Sequence, residues 1–134
     1  VLAEHAAEIR EQTGAVCVVS KPGHLKIGDD KLLTCHWLKE HNFNYPRYAA
    51  IENRAEVEKL AKVCGYPLIA KPRFGKGAHG IIEICNSADL EVLYSHKNIV
   101  IEEALGDADS EYTAGCFCDS NGQVRGTIVF RREL

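Results

Sequence analysis

Pro67-Leu-Ile-Ala-Lys71-Pro-Arg-Phe-Gly75-Lys-Gly-Ala-His-Gly80-Ile-Ile-Glu-Ile-Cys85 is an apolar run ending on a lysine, then a glycine-rich turn, then a second run that alternates. Pro67–Lys71 reads as a short buried strand from its apolar run, and Gly80–Cys85 as another because it alternates and is rich in β-branched residues. The turn Gly75–Gly80 satisfies G-x-G-x-x-G, a string too common to decide anything alone. In a dinucleotide-binding fold it must open a helix, and here a strand pattern follows, so that reading fails. A Walker loop needs Gly-Lys followed by Ser or Thr, whereas Lys76 precedes Gly77. A kinase loop carries its phosphate lysine downstream, whereas Lys71 stands four residues upstream, and the other kinase strings are absent. What remains is a strand–loop–strand whose bare backbone N–H groups can meet phosphate oxygens. Lys71, at the rim of a buried strand, either snorkels to water or meets an anion, and the adjacent loop favours the anion.

Working outward, the periodicity predicts mixed α and β structure. Leu2, Ala6 and Ile9 share a helical face closed by Gly14, and Ala15–Val19 has strand character. Residues 20–28, broken by Lys21-Pro-Gly, read as a linker. Asp29 or Asp30 caps a helix reaching about His41, with Leu33, Trp37 and Leu38 as its stripe. Phe43–Ala49 is extended. Asn53, with Glu56 three residues on, opens the clearest helix, whose Val57, Leu60, Ala61 and Cys64 recur at helical spacing before Gly65. Ser87 caps a short helix holding Leu90, Leu93 and Tyr94. Ile99–Glu103, Tyr112–Cys118 and Gln123–Phe130 are strands, the last two joined by a two-residue turn at Asn121-Gly122. The expected fold class is α+β: an antiparallel sheet flanked by helices.

The bulk composition excludes several classes. A chain of 134 residues buries one core, and 46% hydrophobic with 26% charged residues describes an ordered globule. A net charge of −3, with both signs interspersed, provides no field for a nucleic-acid backbone. No apolar run approaches a membrane span and Val1–Arg10 does not read as a secretory leader, so a cytoplasmic protein with no membrane partner is expected. Six cysteines occur without any Cys-x-x-Cys, and they read as reduced core residues. His36 and His41 are five apart rather than the four of a helical zinc pair. Trp37 reads as core, and Arg131-Arg132 as a solvated end. The chain begins with Val and contains no Met, so an excised piece of a longer parent, or a processed one, is the expectation.

Taken together, Asp30-Lys31-Leu32-Leu33, Tyr66–Arg73, the Gly75–Gly80 loop, Val100-Ile-Glu-Glu-Ala-Leu105 and Glu111-Tyr-Thr113 resemble the ATP-grasp superfamily, in the manner of the carbamoyl-phosphate-synthase large subunit. The resemblance spans residues 29–134, and residues 1–28 are similar to the tail of the α/β domain that precedes it. It implies the central, lid-bearing ATP-binding subdomain of a carboxylate–amine or carboxylate–ammonia ligase working through an acyl-phosphate. Lys31 would lie on the α-phosphate side and Lys71 would reach the α- and β-phosphates. Gly75, Lys76, Gly77, Ala78, His79 and Gly80 would form the lid over the β- and γ-phosphates. His79 departs from the small or basic residues usual there, and a lone loop histidine is also simply exposed. Glu102 and Glu103 would face the adenine amino group, backbone near Leu105 the ring, and Glu111 the ribose, with Asp109 as a second ribose candidate. Carboxylates would repel phosphates and lysines attract them, so the charges should sort along the nucleotide. The implied cofactors are ATP and Mg²⁺, with the metal ligands and the rest of the enzyme beyond Leu134. The alternative is a non-catalytic nucleotide-binding or interaction module that keeps the lid.

Overall fold

The computed structural model describes residues 1–77, 79–106 and 111–131. The chain divides into two compact units, Val1–Ala104 and Leu105–Leu134. The first is organised by a four-stranded antiparallel sheet of order β1-β4-β2-β3, made of β1 (Tyr48–Ala50), β2 (Leu68–Pro72), β3 (Ile82–Ile84) and β4 (Ile99–Glu103). The antiparallel sheet and its flanking helices are those expected from the sequence.

Alternation gives the sheet two unlike faces. Leu68 is directly opposite Ile84 on one side, Ala70 is opposite Ile101, and Ile101 is opposite Ala49, so these residues share a face. All five are buried, and they pack with Val57 and Leu60 of α4 (Arg54–Cys64) and Leu90 and Leu93 of α5 (Ser87–Leu93). The other face carries Tyr48, Ile69, Lys71, Val100 and Glu102. It receives Cys35 of α3 (Lys31–Glu40), whose thiol reaches the Glu102 carboxylate. One face therefore holds the apolar core and the other holds the charged chemistry.

The α4 helix follows its sequence signature. The Asn53 side chain accepts from Glu56 N, Val57 and Leu60 are buried, and Gly65 closes the helix at φ 74°. Asp30 caps α3 by accepting from the amides of Leu32 and Leu33, as expected from its position before the apolar stripe. Trp37 is partly buried and stacks on His41 and Phe43, with ring centroids 4.1 and 5.7 Å away.

Several local expectations are corrected. Ala15–Val19 forms no strand: Val16 and Val18 are largely exposed, and no described strand pairs with them. The segment read as a linker is largely α2 (Pro22–Asp29), which follows α1 (Ala6–Thr13); Pro22 sits in its first turn, where a fixed φ and a missing N–H are harmless. Thr34 Oγ1 then donates to Ile27 O, tying α2 to α3. The extended reading of Phe43–Ala49 narrows to the strand β1. Helix α5 is capped by Asn86, which accepts from Ala88 N and Asp89 N, rather than by Ser87. The cysteines are all free, but only Cys35 is buried; Cys17 and Cys64 are partly buried, while Cys85, Cys116 and Cys118 are exposed.

The second unit is the hairpin of β5 (Tyr112–Cys118) and β6 (Val124–Arg131). Its connection runs over residues 119–123 and is longer than the two-residue turn the Asn-Gly pair suggested. Asp119 organises it by accepting from the amides of Asn121 and Gln123. Every residue of both strands is exposed.

Candidate nucleotide site

Lys31 and Lys71 stand forty positions apart, and a set of ties places Lys31, at the start of α3, beside the end of β2, the strand that carries Lys71. Lys31 N donates to Arg73 O at 3.0 Å. Arg73 clasps the Asp30 carboxylate with two nitrogens, at 3.1 and 2.5 Å. Lys31 Nζ donates to Gly75 O at 3.1 Å, the carbonyl that opens the glycine loop. The Asp30 side chain is 4% exposed and that of Arg73 23%, so the clasp works in a poorly solvated setting. The Arg73 guanidinium bonded to it holds the Asp30 carboxyl below the usual carboxylate range, against the opposing cost of burial. Asp30 thus caps a helix and also binds the strand that carries Lys71. The sequence suggested only the first of these roles.

The loop itself keeps a conformation that demands glycine. Gly77 and Gly80 adopt φ 70° and 73°, and a Cβ on Gly80 would lie 3.0 Å from Pro72 Cγ. Gly75, Lys76, Gly77, His79 and Gly80 are all exposed, and a strand rather than a helix follows the loop. Ala78 lies outside the described residues, as do Asp109 and Arg132.

The two hinge glutamates face opposite ways, as neighbours on a strand must. Glu102 is buried, and its Oε2 accepts from Lys71 Nζ at 2.6 Å while its Oε1 lies 3.8 Å from Cys35 Sγ. The strand register explains the contact: Ile69 is opposite Glu102, so Lys71 is its diagonal neighbour on the same face. Charges therefore do not sort as the sequence suggested, since the lysine of β2 lies against a carboxylate. Glu103 turns to the other side, where its Oε1 accepts from Arg47 N at 2.8 Å and its Oε2 lies 3.8 Å from Cys64 Sγ. Leu105 and Glu111 belong to the second unit, Leu105 exposed and Glu111 partly buried just before β5.

Cys35 is the residue that sequence reading passed over. Burial, then the nearby Glu102 carboxylate, pushes its thiol up to about 11, so it stays protonated and can serve as a hydrogen-bond donor. Local pattern could not have signalled this, because its partner lies in a distant strand. A separate hollow of about 550 Å³, lined by residues that include Tyr45, Arg47, Tyr48 and Lys59, follows the β1 edge and includes neither Lys31 nor Lys71. Among the described residues no group of three or more His, Cys, Asp or Glu side chains is placed to hold a metal.

The sequence pattern of the ATP-grasp domain matches residues 28–120. The chain belongs to this family. Curated relatives include a D-alanine–D-alanine ligase of Anaplasma marginale, 26% identical over 76% of this chain and 29% of that protein. Another is the carbamoyl phosphate synthase large chain of Rubrobacter xylanophilus, 24% identical over 61% of this chain and 8% of that protein. The chain thus spans less than a third of these curated relatives. Among solved structures, the fold matches N5-carboxyaminoimidazole synthetase of Staphylococcus aureus complexed with ADP, at a TM-score of 0.64 and 20% identity, over 91% of this chain and 32% of that one. It also matches the biotin carboxylase domain of Hydrogenobacter thermophilus 2-oxoglutarate carboxylase, solved with MgADP, ADP and bicarbonate, at a TM-score of 0.65 and 19% identity, over 92% of this chain and 30% of that one. No helix among the described residues is long and apolar enough to cross a membrane.

Proposed function

We propose that this chain is the ATP-binding portion of an ATP-grasp carboxylate–amine or carboxylate–ammonia ligase that works through an acyl-phosphate. The observation that carries the reading is the clasp at the root of the glycine loop, which draws two lysines from separate elements to one end of the sheet. A triphosphate carries about four negative charges, and two ammonium groups beside the backbone N–H donors of a glycine-rich loop suit it. In this reading Lys31 and Lys71 bind the phosphates and the Gly75–Gly80 loop covers them. Glu103 belongs to the nucleoside end, whereas Glu102 starts paired with Lys71. Mg²⁺ would neutralise the departing phosphate charge, with ligands supplied by the rest of the parent. The lysines and the lid would orient the phosphates and exclude water around them.

Titration of ATP into the chain, and into Lys71→Ala, by calorimetry tests the reading. Binding that weakens at least tenfold in Lys71→Ala supports it, since a charge-assisted contact to phosphate is removed. Equal affinity of both proteins for ATP and adenosine would instead mean that Lys71 meets no phosphate.

A further inference from the structure

Glu102 is a nearly fully buried carboxylate with two assigned oxygens. Oε2 is held by Lys71 at 2.6 Å, and Oε1 faces the protonated thiol of Cys35 at 3.8 Å. Its side chain is 6% exposed and that of Lys71 30%, so the lysine is the member of the pair that a solvent-borne ligand can reach. A phosphate that recruits Lys71 must compete with Glu102 for it. It would also leave Oε2 buried without its cation, a costly state unless another donor remains on the carboxylate. Cys35, itself only 4% exposed and fixed on α3, is placed to be that donor.

We propose that Glu102 and Cys35 are positioning residues that set how readily Lys71 is given up to a nucleotide phosphate: Glu102 competes for the lysine, and Cys35 holds Glu102 once the lysine leaves. This rests on the proposed ATP site but assigns Glu102 to the lysine rather than to the purine. It predicts effects confined to ligands with phosphates. Removing the charge in Glu102→Gln frees Lys71 and tightens ATP about three- to tenfold, the range of one hydrogen bond. Cys35→Ala withdraws the remaining donor and weakens ATP by a similar factor, while Cys35→Ser keeps a donor and restores affinity. Adenosine, lacking phosphate, binds all four proteins alike.

The experiment is calorimetric titration of wild type, Glu102→Gln, Cys35→Ala and Cys35→Ser with ATP and with adenosine. Alongside it, the Cys35 thiol is followed against pH by NMR of protein labelled with ¹³C at cysteine Cβ. Opposite shifts for Glu102→Gln and Cys35→Ala with ATP, rescue by Cys35→Ser, and a Cys35 thiol that ionises at lower pH in Glu102→Gln than in wild type support the proposal. Loss of adenosine affinity in Glu102→Gln would make Glu102 a purine contact and overturn it. ATP binding that depends on Lys71 but ignores all three variants overturns it while leaving the ATP site standing. An unchanged Cys35 titration in Glu102→Gln overturns it whether or not nucleotide binds. ATP binding indifferent to Lys71→Ala defeats the site itself, and the inference with it.

Discussion

The two units of this chain both use antiparallel strands rich in β-branched and aromatic residues, yet they bury them very differently. In the first unit Leu68, Ile84, Val100 and Ile101 are fully buried, because α4 and α5 cover one face of the sheet and α3 meets the other. In the second, Tyr112, Phe117, Val124, Ile128, Val129 and Phe130 are all more than half exposed on the β5–β6 hairpin. Strand propensity makes a strand; a second layer makes it stable. The same contrast holds for the acids. Asp30 joins two elements through Arg73 in a poorly solvated setting, whereas Asp119, partly buried, meets an exposed Arg125 across a turn.

The largest test of this contrast is Asp30→Ala. It removes a helix cap and leaves the Arg73 guanidinium without its partner, so the first unit should lose about 3–5 kcal/mol in urea unfolding, the cost of breaking a buried pair from one side. Asp119→Asn should leave the urea midpoint of the first unit unchanged. A comparable fall in both would mean that the two units unfold as one. Next in size, Leu68→Ala should cost about 2–5 kcal/mol through lost transfer energy and a cavity, while Val129→Ala, on an exposed strand, should stay within about 0.5 kcal/mol.

Acid titration sharpens the same point. Asp30 is depressed by its Arg73 hydrogen bonds, so its contribution is fully present above the ordinary carboxylate range. As pH falls below about 4 the unfolded chain takes up the proton first, and the contribution is lost progressively until the folded carboxyl is also protonated. Wild type should therefore lose stability over that window, and Asp30→Asn should show a shallower slope there, measured as urea midpoint against pH. Identical slopes would mean that the Arg73 clasp does not hold its carboxyl down.

Much of this was legible in the residues, and the exceptions have physical causes. The helix over Arg54–Cys64 could be read because cap, stripe and terminal glycine are all local. The order of strands around Gly75–Gly80 followed from β-branched alternation. By contrast, Ala15–Val19 has strand composition without a strand, since composition cannot supply a pairing partner. The α2 helix was masked by Pro22 and Gly23, which break a helix in its interior but not in its first turn. At the candidate site, the lysines and glycines could be found from type and spacing, but the partner of Lys71 could not. It depends on the β2–β4 register, which places Glu102 diagonally across the sheet. The exposure of Cys116 and Cys118 is a property of the hairpin's surroundings rather than of the strand pattern.

The smallest effect separates two neighbouring residues at the start of one helix. The α5 helix completes the core beneath Ile84, and its cap is Asn86 rather than the Ser87 expected from the sequence. Asn86 sits in extended backbone at φ −161°, outside the helix, and its Oδ1 takes the amides of Ala88 and Asp89 at 2.9 and 3.1 Å. Ser87 already lies inside the first turn, where its hydroxyl has no orphan amide to satisfy. Asn86→Ala should cost the first unit about 1 kcal/mol and Ser87→Ala a few tenths at most, since alanine is the better helix former at an interior position. The reverse order would shift the start of α5 by one residue, and with it the phase that aims Leu90 and Leu93 at the sheet.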